Sequence, residues 1–420
     1  MFVLQPLTRR PIALLWAGQV LAATGSEFYM VAVVWIAADF VGRDAGYVSA
    51  LQAGALLTGS LFGGILTDRW RHGATMVGAD LVRAGLALVL SVAGFLKLLS
   101  LPLLITVAGC VALCTSAFDP ALQATVPALA SDPALRHATN GLFDATKRMA
   151  RILGPSLIAL VNGFLPKSQF FVLTTATFLT SALAVRAVTR RLAPETPHHR
   201  LGGIAAIVDS LVGGIGALRG HVALIYGLIA NLIGNVGWSM GVQLGMILHL
   251  RATSADPLTD YSLMMTAYGV GNLASNLVLA SVRPRRPGSW LVASKLIFGT
   301  GVVLLPFAPG RAALMLIAAF AAINGPFENL ALLHLIQSRF ERQRLAQIYR
   351  LQMCSTFAGV LLGFGAAPTL FLWFGFAPVI TASGAAVIAI GLAGLGLKLA
   401  RPAAETLPNP SELSAEEDAG

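Results

Sequence analysis

Long apolar stretches, each bounded by charges or by Pro and Gly turns, recur along almost the whole chain. A bilayer span needs roughly 20 mostly apolar residues. By that measure the pattern predicts about twelve helices, near residues 12–40, 47–67, 75–97, 102–127, 138–164, 169–189, 220–249, 261–282, 290–308, 312–337, 346–374 and 377–399. The longest polar interruption, Arg190 to Arg219, sits at the middle of the chain and contains Pro194, Pro197, His198 and His199. Its second part, Gly202 to Leu218, is weakly amphipathic and suited to a membrane surface. The expected organisation is all-α and integral to the membrane: a six-helix bundle over 1–189, a linker over 190–219, a second six-helix bundle over 220–400, and an acidic tail over 401–420.

Composition agrees: 56% of the 420 residues are hydrophobic and 11% charged, against roughly 25% charged in a soluble domain, which excludes a soluble globular protein. The formal net charge of +10 is not a nucleic-acid signal, because the basic residues fall in short clusters without interleaved aromatics. Those clusters alternate in side instead. Arg9 and Arg10, Arg69 and Arg71, Arg136, the group Arg186, Arg190, Arg191, Arg200 and Arg219, then Arg283, Arg285 and Arg286, Arg339, Arg342 and Arg344, and finally Lys398 and Arg401 all fall on one side. The opposite loops carry Arg43, Lys97, Lys167, Arg251 and Arg311. The positive-inside rule then places both termini in the cytoplasm of a bacterial-type inner membrane, which requires an even number of spans. Cys110, Cys114 and Cys354 lie within apolar segments, so neither a disulfide framework nor a metal site is expected, and no cofactor is implied. Arg9 and Arg10 precede an apolar stretch too long for a cleavable leader, so none is expected.

The two halves superpose at an offset of about 210 residues. Gly59 to Arg69 parallels Gly271 to Ser281, Arg83 parallels Lys295, and Phe118-Asp119-Pro120 parallels Phe327-Glu328-Asn329. Agreement at nearly one offset points to a duplicated bundle, the arrangement in which a substrate site lies between halves that rock about it.

The loop after the second span reads Gly64-Ile-Leu-Thr-Asp68-Arg69-Trp70-Arg71-His72-Gly73. It resembles the signature of the major facilitator superfamily in its Gly and Asp-Arg part. Leu15-Trp16-Ala-Gly18-Gln19, Asp80-Leu-Val-Arg83-Ala84, and Asn140 through Arg151-Ile-Leu-Gly154-Pro155 are similar to the branch with enterobactin-type siderophore exporters and related multidrug exporters. The second half lacks the Asp at Ala280, and the fourth span lacks the Arg usual in proton-driven antiporters of the superfamily. The resemblance implies two pseudo-symmetric six-helix bundles and alternating access, with Gly64, Asp68 and Arg69 governing a gate.

An ionisable group inside a span costs at least about 2.5 kcal/mol on insertion scales, which makes each a functional candidate. Glu27 is mid-helix in Thr24-Gly25-Ser26-Glu27-Phe28, suited to load and release a proton or, alternatively, to pack neutralised by a cation. Asp119 and Glu328 are acids at matching depth in the two halves, candidates for proton coupling or for bonding near Pro120 and Pro326. Asp144, Lys147, Arg148 and Arg151 follow i, i+3, i+4, i+7, one face of the fifth helix. If that helix starts at 138, Arg151 lies about 20 Å along it. The resemblance makes this helix border the central cavity, and Arg suits bidentate contact with a carboxylate or phosphate. A later helix start makes the same residues cytoplasmic anchors. Arg350 is a matching candidate, or an anchor, from the second half. Asp80 and Arg83, three residues apart, are expected to pair with each other. His249 and His334 lack metal-ligand spacing, and Trp16, Trp35, Trp290 and Trp373 read as interfacial anchors.

No phosphate-binding Gly-x-x-x-x-Gly-Lys motif and no His-Glu-x-x-His or nucleophile–base set occurs, so neither ATP drive nor an enzyme is expected. The expected function is proton-coupled export of an anionic metabolite such as a siderophore by a monomer in lipid, with small-molecule anion and protons as partners and no nucleic acid. Uptake of such an anion, multidrug efflux with Glu27 at the ligand, and a non-transporting receptor or scaffold are the alternatives.

Overall fold

The computed structural model describes residues 6–67, 71–130, 133–190, 204–279, 286–340, 342–397 and 399. Asp68 and Arg69 of the expected gate, most of the linker before residue 204, Ala280 and the acidic tail lie outside the described residues. Fifteen helices occur among the described residues: α1 (Arg10–Val41), α2 (Ala45–Thr67), α3 (His72–Phe95), α4 (Leu101–Leu129), α5 (Pro133–Val161), α6 (Phe170–Thr189), α7 (Ile204–Ala217), α8 (Val222–Val236), α9 (Met246–Thr253), α10 (Pro257–Leu279), α11 (Pro287–Leu304), α12 (Arg311–Ala322), α13 (Asn324–Arg339), α14 (Arg342–Phe374) and α15 (Phe376–Gly396). No strand occurs among the described residues.

A π-helical segment, Gly237–Gly245, continues α8 into α9 as one span, and α12 runs on into α13 as another. Nine stretches are long and apolar enough to cross a bilayer, and one of them, Arg10–Leu61, contains both α1 and α2. Helices α5 and α10 bring the spans to twelve. They fall short on apolarity for a visible reason: α5 carries Asp144, Lys147, Arg148 and Arg151, and α10 carries Asp260, Asn272 and Asn276. These two helices pack on each other across the molecule.

The packing repeats between halves. Helices α1 and α6, α3 and α6, α2 and α4, and α1 and α5 pack together in the first half. Their counterparts α8 and α15, α11 and α15, α10 and α12, and α8 and α14 do so in the second. The bundles meet through α5 on α10 and α2 on α14, two contacts related by the same pseudo-symmetry. At Gly46, near the start of α2, a Cβ would sit 2.7 Å from the Phe364 carbonyl oxygen of α14, so only glycine permits this approach.

Apolar packing shows where the bundles are closed. At the far end, where α1 turns into α2 and α9 into α10, one continuous core joins Trp35, Leu104 and Phe171 of the first bundle to Leu248, Tyr261 and Phe371 of the second. Toward the end where α6 finishes, here called the linker end, the core divides. Leu15, Met76 and Val185 pack within the first bundle, and Leu224, Leu291 and Ile336 within the second. Among the described residues the apolar clusters toward the linker end each belong to one bundle, and the space between the bundles there is called the cleft.

Two sequence expectations change, and the amphipathic part of the linker gains a packing partner. Helix α5 starts at Pro133 rather than 138, with proline at a first-turn position whose N–H has no intrahelical acceptor in any case; Arg151 is then about 27 Å along the helix. Helix α7, the amphipathic part of the linker, packs on α14, with Gly214 against Leu351. Trp35 is 2% exposed and belongs to the closed end rather than to a lipid interface, while Trp290 stacks on Phe327 at 5.1 Å.

Candidate functional site

Helix α1 turns a row of small and polar residues, Gln19, Ala22, Ala23, Ser26 and Glu27, toward the cleft. Opposite them stand Arg83 of α3, Thr115 and Asp119 of α4, and Phe143, Thr146 and Ala150 of α5. Spacings of three and four residues put each set on one helix face. Together they line a cavity of about 230 Å³ in the first bundle, with Glu27, Arg83 and Asp119 in its walls. Glycine at Gly154 brings α5 against α1 here: a Cβ would lie 2.6 Å from the Glu27 Cβ and 3.2 Å from the Phe28 backbone nitrogen. Trp16 Nε1 donates to Thr146 Oγ1 at 2.8 Å and ties the same two helices one level lower.

Arg83 is 3% exposed. Its guanidinium pairs with Asp80, one turn earlier, and lies between the rings of Phe118 and Phe178, 4.6 Å from each centroid. Ser181 donates to the other Asp80 oxygen at 2.7 Å. A cation this deep is tolerated because a carboxylate and two ring faces replace its hydration. The expected Asp80–Arg83 pairing is present, and Arg83 also lines the cavity with Glu27 and Asp119, both half-buried.

The second bundle repeats these positions differently. Lys295, 1% exposed, places Nζ 2.6 Å from Glu328 Oε1. Its ammonium lies so close to α8 that a Cβ at Gly234 would come within 2.6 Å of it. Arg83 and Asp119 thus line a cavity, whereas their counterparts Lys295 and Glu328 form a buried ion pair. Nearby, Asn231 Nδ2 donates to Thr356 Oγ1 at 2.8 Å, joining α8 to α14.

A second compartment of about 200 Å³ lies deeper, toward the closed end. Ser26 and Thr115 line both spaces and connect them. Its walls are mostly apolar and come from both bundles, Met30 and Phe178 on one side, Val360 and Phe364 on the other.

The backbones of Asp144, Lys147, Arg148 and Arg151 form part of α5, while their side chains lie outside the described residues. Gly64 is in α2, and Asp68 and Arg69 follow outside the described residues. Arg350 is half-buried on α14 and lines neither compartment. His249 is near the Pro306 carbonyl oxygen, 3.2 Å from Nε2. No group of three or more His, Cys, Asp or Glu with metal-binding placement occurs among the described residues.

One cluster was not visible as such in the sequence. At the closed end Asp39 of α1 pairs with Arg251 of α9, in the other bundle, and with Lys167 at 3.3 Å. Both cations approach the Trp35 ring, at 5.6 and 5.7 Å, and Trp35 in turn tilts onto Tyr261 at 6.0 Å. Arg251 and Lys167 read in the sequence as sparse loop charges. The signal for more was Asp39 one helical turn after Trp35.

Residues 2–327 match a protein family described as transmembrane secretion effector. The fold is similar to that of solved transporters at low identity. A peptide transporter, POT, superposes with a TM-score of 0.75 at 12% identity over 93% of this chain and 94% of its own. In complex with sulfate it gives 0.73 at 12%, over 92% and 94%. A nucleoside transporter, NupG, gives 0.71 at 11%, over 92% and 98%. At these identities the likeness concerns the fold. No curated protein sequence matches the chain.

Proposed function

We propose a mechanism for a chain that belongs to the transmembrane secretion effector family of the major facilitator superfamily, and is therefore a multi-pass secondary transporter rather than an enzyme: it exports an anionic metabolite, such as a siderophore, in exchange for protons. The observation that carries this reading is the cavity of about 230 Å³ in which Glu27, Asp119 and Arg83 meet beside α5. Ionisable groups inside membrane spans are costly and mark substrate or ion pathways, and three of them line this cavity in the first bundle.

In this reading Glu27 and Asp119 take up and release protons, with Glu328 as the second bundle's acid. Lys147, Arg148 and Arg151, steadied by Asp144, bind the anion from α5, and Arg350 contributes from α14. Support comes from register. Arg151 and Asp144 precede Asn162 by about three and five helical turns, so they share the face on which Asn162 meets Thr259 of the other bundle, at 3.2 Å. With positively charged loops facing the cytoplasm of an inner membrane, the linker end is cytoplasmic in this reading and the cleft faces inward. Gly64, Asp68 and Arg69 gate that end, and the domain limits are those of the two bundles about the linker 190–219.

A second reading, efflux of lipophilic drugs, draws on the apolar compartment that adjoins the polar one. Proteoliposomes decide between them. Counterflow and pH-gradient-driven flux of carboxylate or catecholate siderophores support the first reading, flux of lipophilic drugs alone supports the second, and absence of flux across both panels overturns transport of either class.

A further inference from the structure

We propose that the apolar compartment at the closed end of the cleft is a subsite for an uncharged, ring-sized group bearing hydroxyl or amide functions. This assignment rests on the reading of the cleft as the substrate path. The space is about 200 Å³, and an apolar cavity of about 150 Å³ suffices for benzene, so a group of one or two rings fits.

The chemistry of the lining sets the class. None of its residues is charged, so an ionic group entering it would lose hydration without a counter-ion. Three of its polar side chains, however, have hydrogen-bonding capacity in excess of their partners. Tyr29, 4% exposed, and Ser49, 3% exposed, bury Oη and Oγ without a hydrogen-bond partner in the protein. Gln243, in the π-helical segment, directs Nε2 to the Met30 thioether at 3.5 Å, a weak acceptor. Buried polar groups without partners are rare because each forfeits its hydration.

These three groups come from α1, α2 and the π segment, so both bundles contribute to one small space. Ser26 and Thr115 line both it and the cavity holding Glu27, Arg83 and Asp119, so the two spaces adjoin. A site built to hydrogen-bond a ligand hydroxyl rejects the analogue that lacks it, because the site's own groups are then left unpaired. The subsite therefore prefers a hydroxylated ring to a hydrocarbon of the same shape.

The test uses the full chain in lipid nanodiscs with 2-naphthol and naphthalene as fluorescent probes, partition into empty discs being subtracted. The expected result is saturable binding with 2-naphthol favoured about tenfold, and a loss of about threefold in that preference in each of Tyr29→Phe and Gln243→Leu. Ala53→Phe, which places a ring inside the compartment, should abolish saturable binding of both probes. No saturable binding, no preference, a preference unchanged in Tyr29→Phe and Gln243→Leu, or binding undiminished by Ala53→Phe each overturns the proposal. Tyr29→Phe removes a single oxygen, and each variant is compared only when its elution profile and helical content match the parent. Because the readout is binding, a chain that selects 2-naphthol but moves no substrate overturns the transport reading alone. One that transports anions without selecting 2-naphthol overturns the subsite alone.

Discussion

Asp39, at the end of α1, holds Arg251, at the end of α9, across the boundary between the two bundles. Alternating access requires this end to open, so the pair must break in every cycle. Its side chains are 37% and 28% exposed, which limits the contribution to about 1 kcal/mol or less. Asp39→Asn should therefore shift the population toward opening at the far end by about fivefold or less. Spin-label distances between the bundles at that end read the shift, and the swap Asp39→Arg with Arg251→Asp should reverse most of it. An unchanged distribution in Asp39→Asn shows that the remaining contacts, apolar packing and the Asn162–Thr259 hydrogen bond among them, suffice to close this end.

Lys295 and Glu328 pose a different energetic problem, because both are enclosed. Removing one partner leaves a buried charge, at a cost of about 3–5 kcal/mol, while replacing both with apolar groups of similar size is far less harmful. Lys295→Met is expected to lower the thermal unfolding temperature sharply, and Lys295→Met with Glu328→Leu to recover most of the loss. A double variant as unstable as the single one would show that the lysine stem, not the ion pair, holds α11 and α13 in place.

The close approach of α5 to α1 depends on Gly154. Gly154→Val puts two methyl groups beyond a Cβ that already meets Glu27 at 2.6 Å, so the helices must part at an overpacking cost of about 1–3 kcal/mol. Lower thermal stability with impaired flux is expected, and Gly154→Ala should fall between the variant and the parent. Full activity in Gly154→Val would mean that α1 and α5 separate here without consequence for the cavity.

Glu27→Gln keeps the size of the side chain and removes its titration. Export driven by acid outside should fall to the rate seen without a pH gradient, while substrate exchange persists at equal pH. Arg151→Ala should instead abolish binding of an anionic substrate. Gradient-driven export surviving in Glu27→Gln would move the proton site elsewhere, with Asp119 the next residue to substitute.

The number of spans, their limits to within a few residues and the duplication were legible in the chain because lipid imposes a length and a composition on every helix that crosses it. Helix α5 shows the limit of that rule. Its four charges set it apart from the other spans, and its packing on α1 and α10 could not be read from its own composition. Asp80 and Arg83 were legible as a pair because three residues make one helical turn. That Phe118 and Phe178 enclose the guanidinium, or that Ser181 binds Asp80, depends on helices far apart in sequence.

By itself, then, the sequence determined the solvent, the all-α architecture, the internal repeat and which residues stand on each helix face, all consequences of local composition and the 3.6-residue period. Only the tertiary structure decided which faces meet. It set Glu27, Arg83 and Asp119 around one cavity, paired Lys295 with Glu328, which the repeat had offered as a partner acid to Asp119, and drew Asp39, Trp35 and Arg251 into a contact between bundles. Those outcomes depend on helix packing across separations of tens to hundreds of residues, on which hydrophobic periodicity is silent.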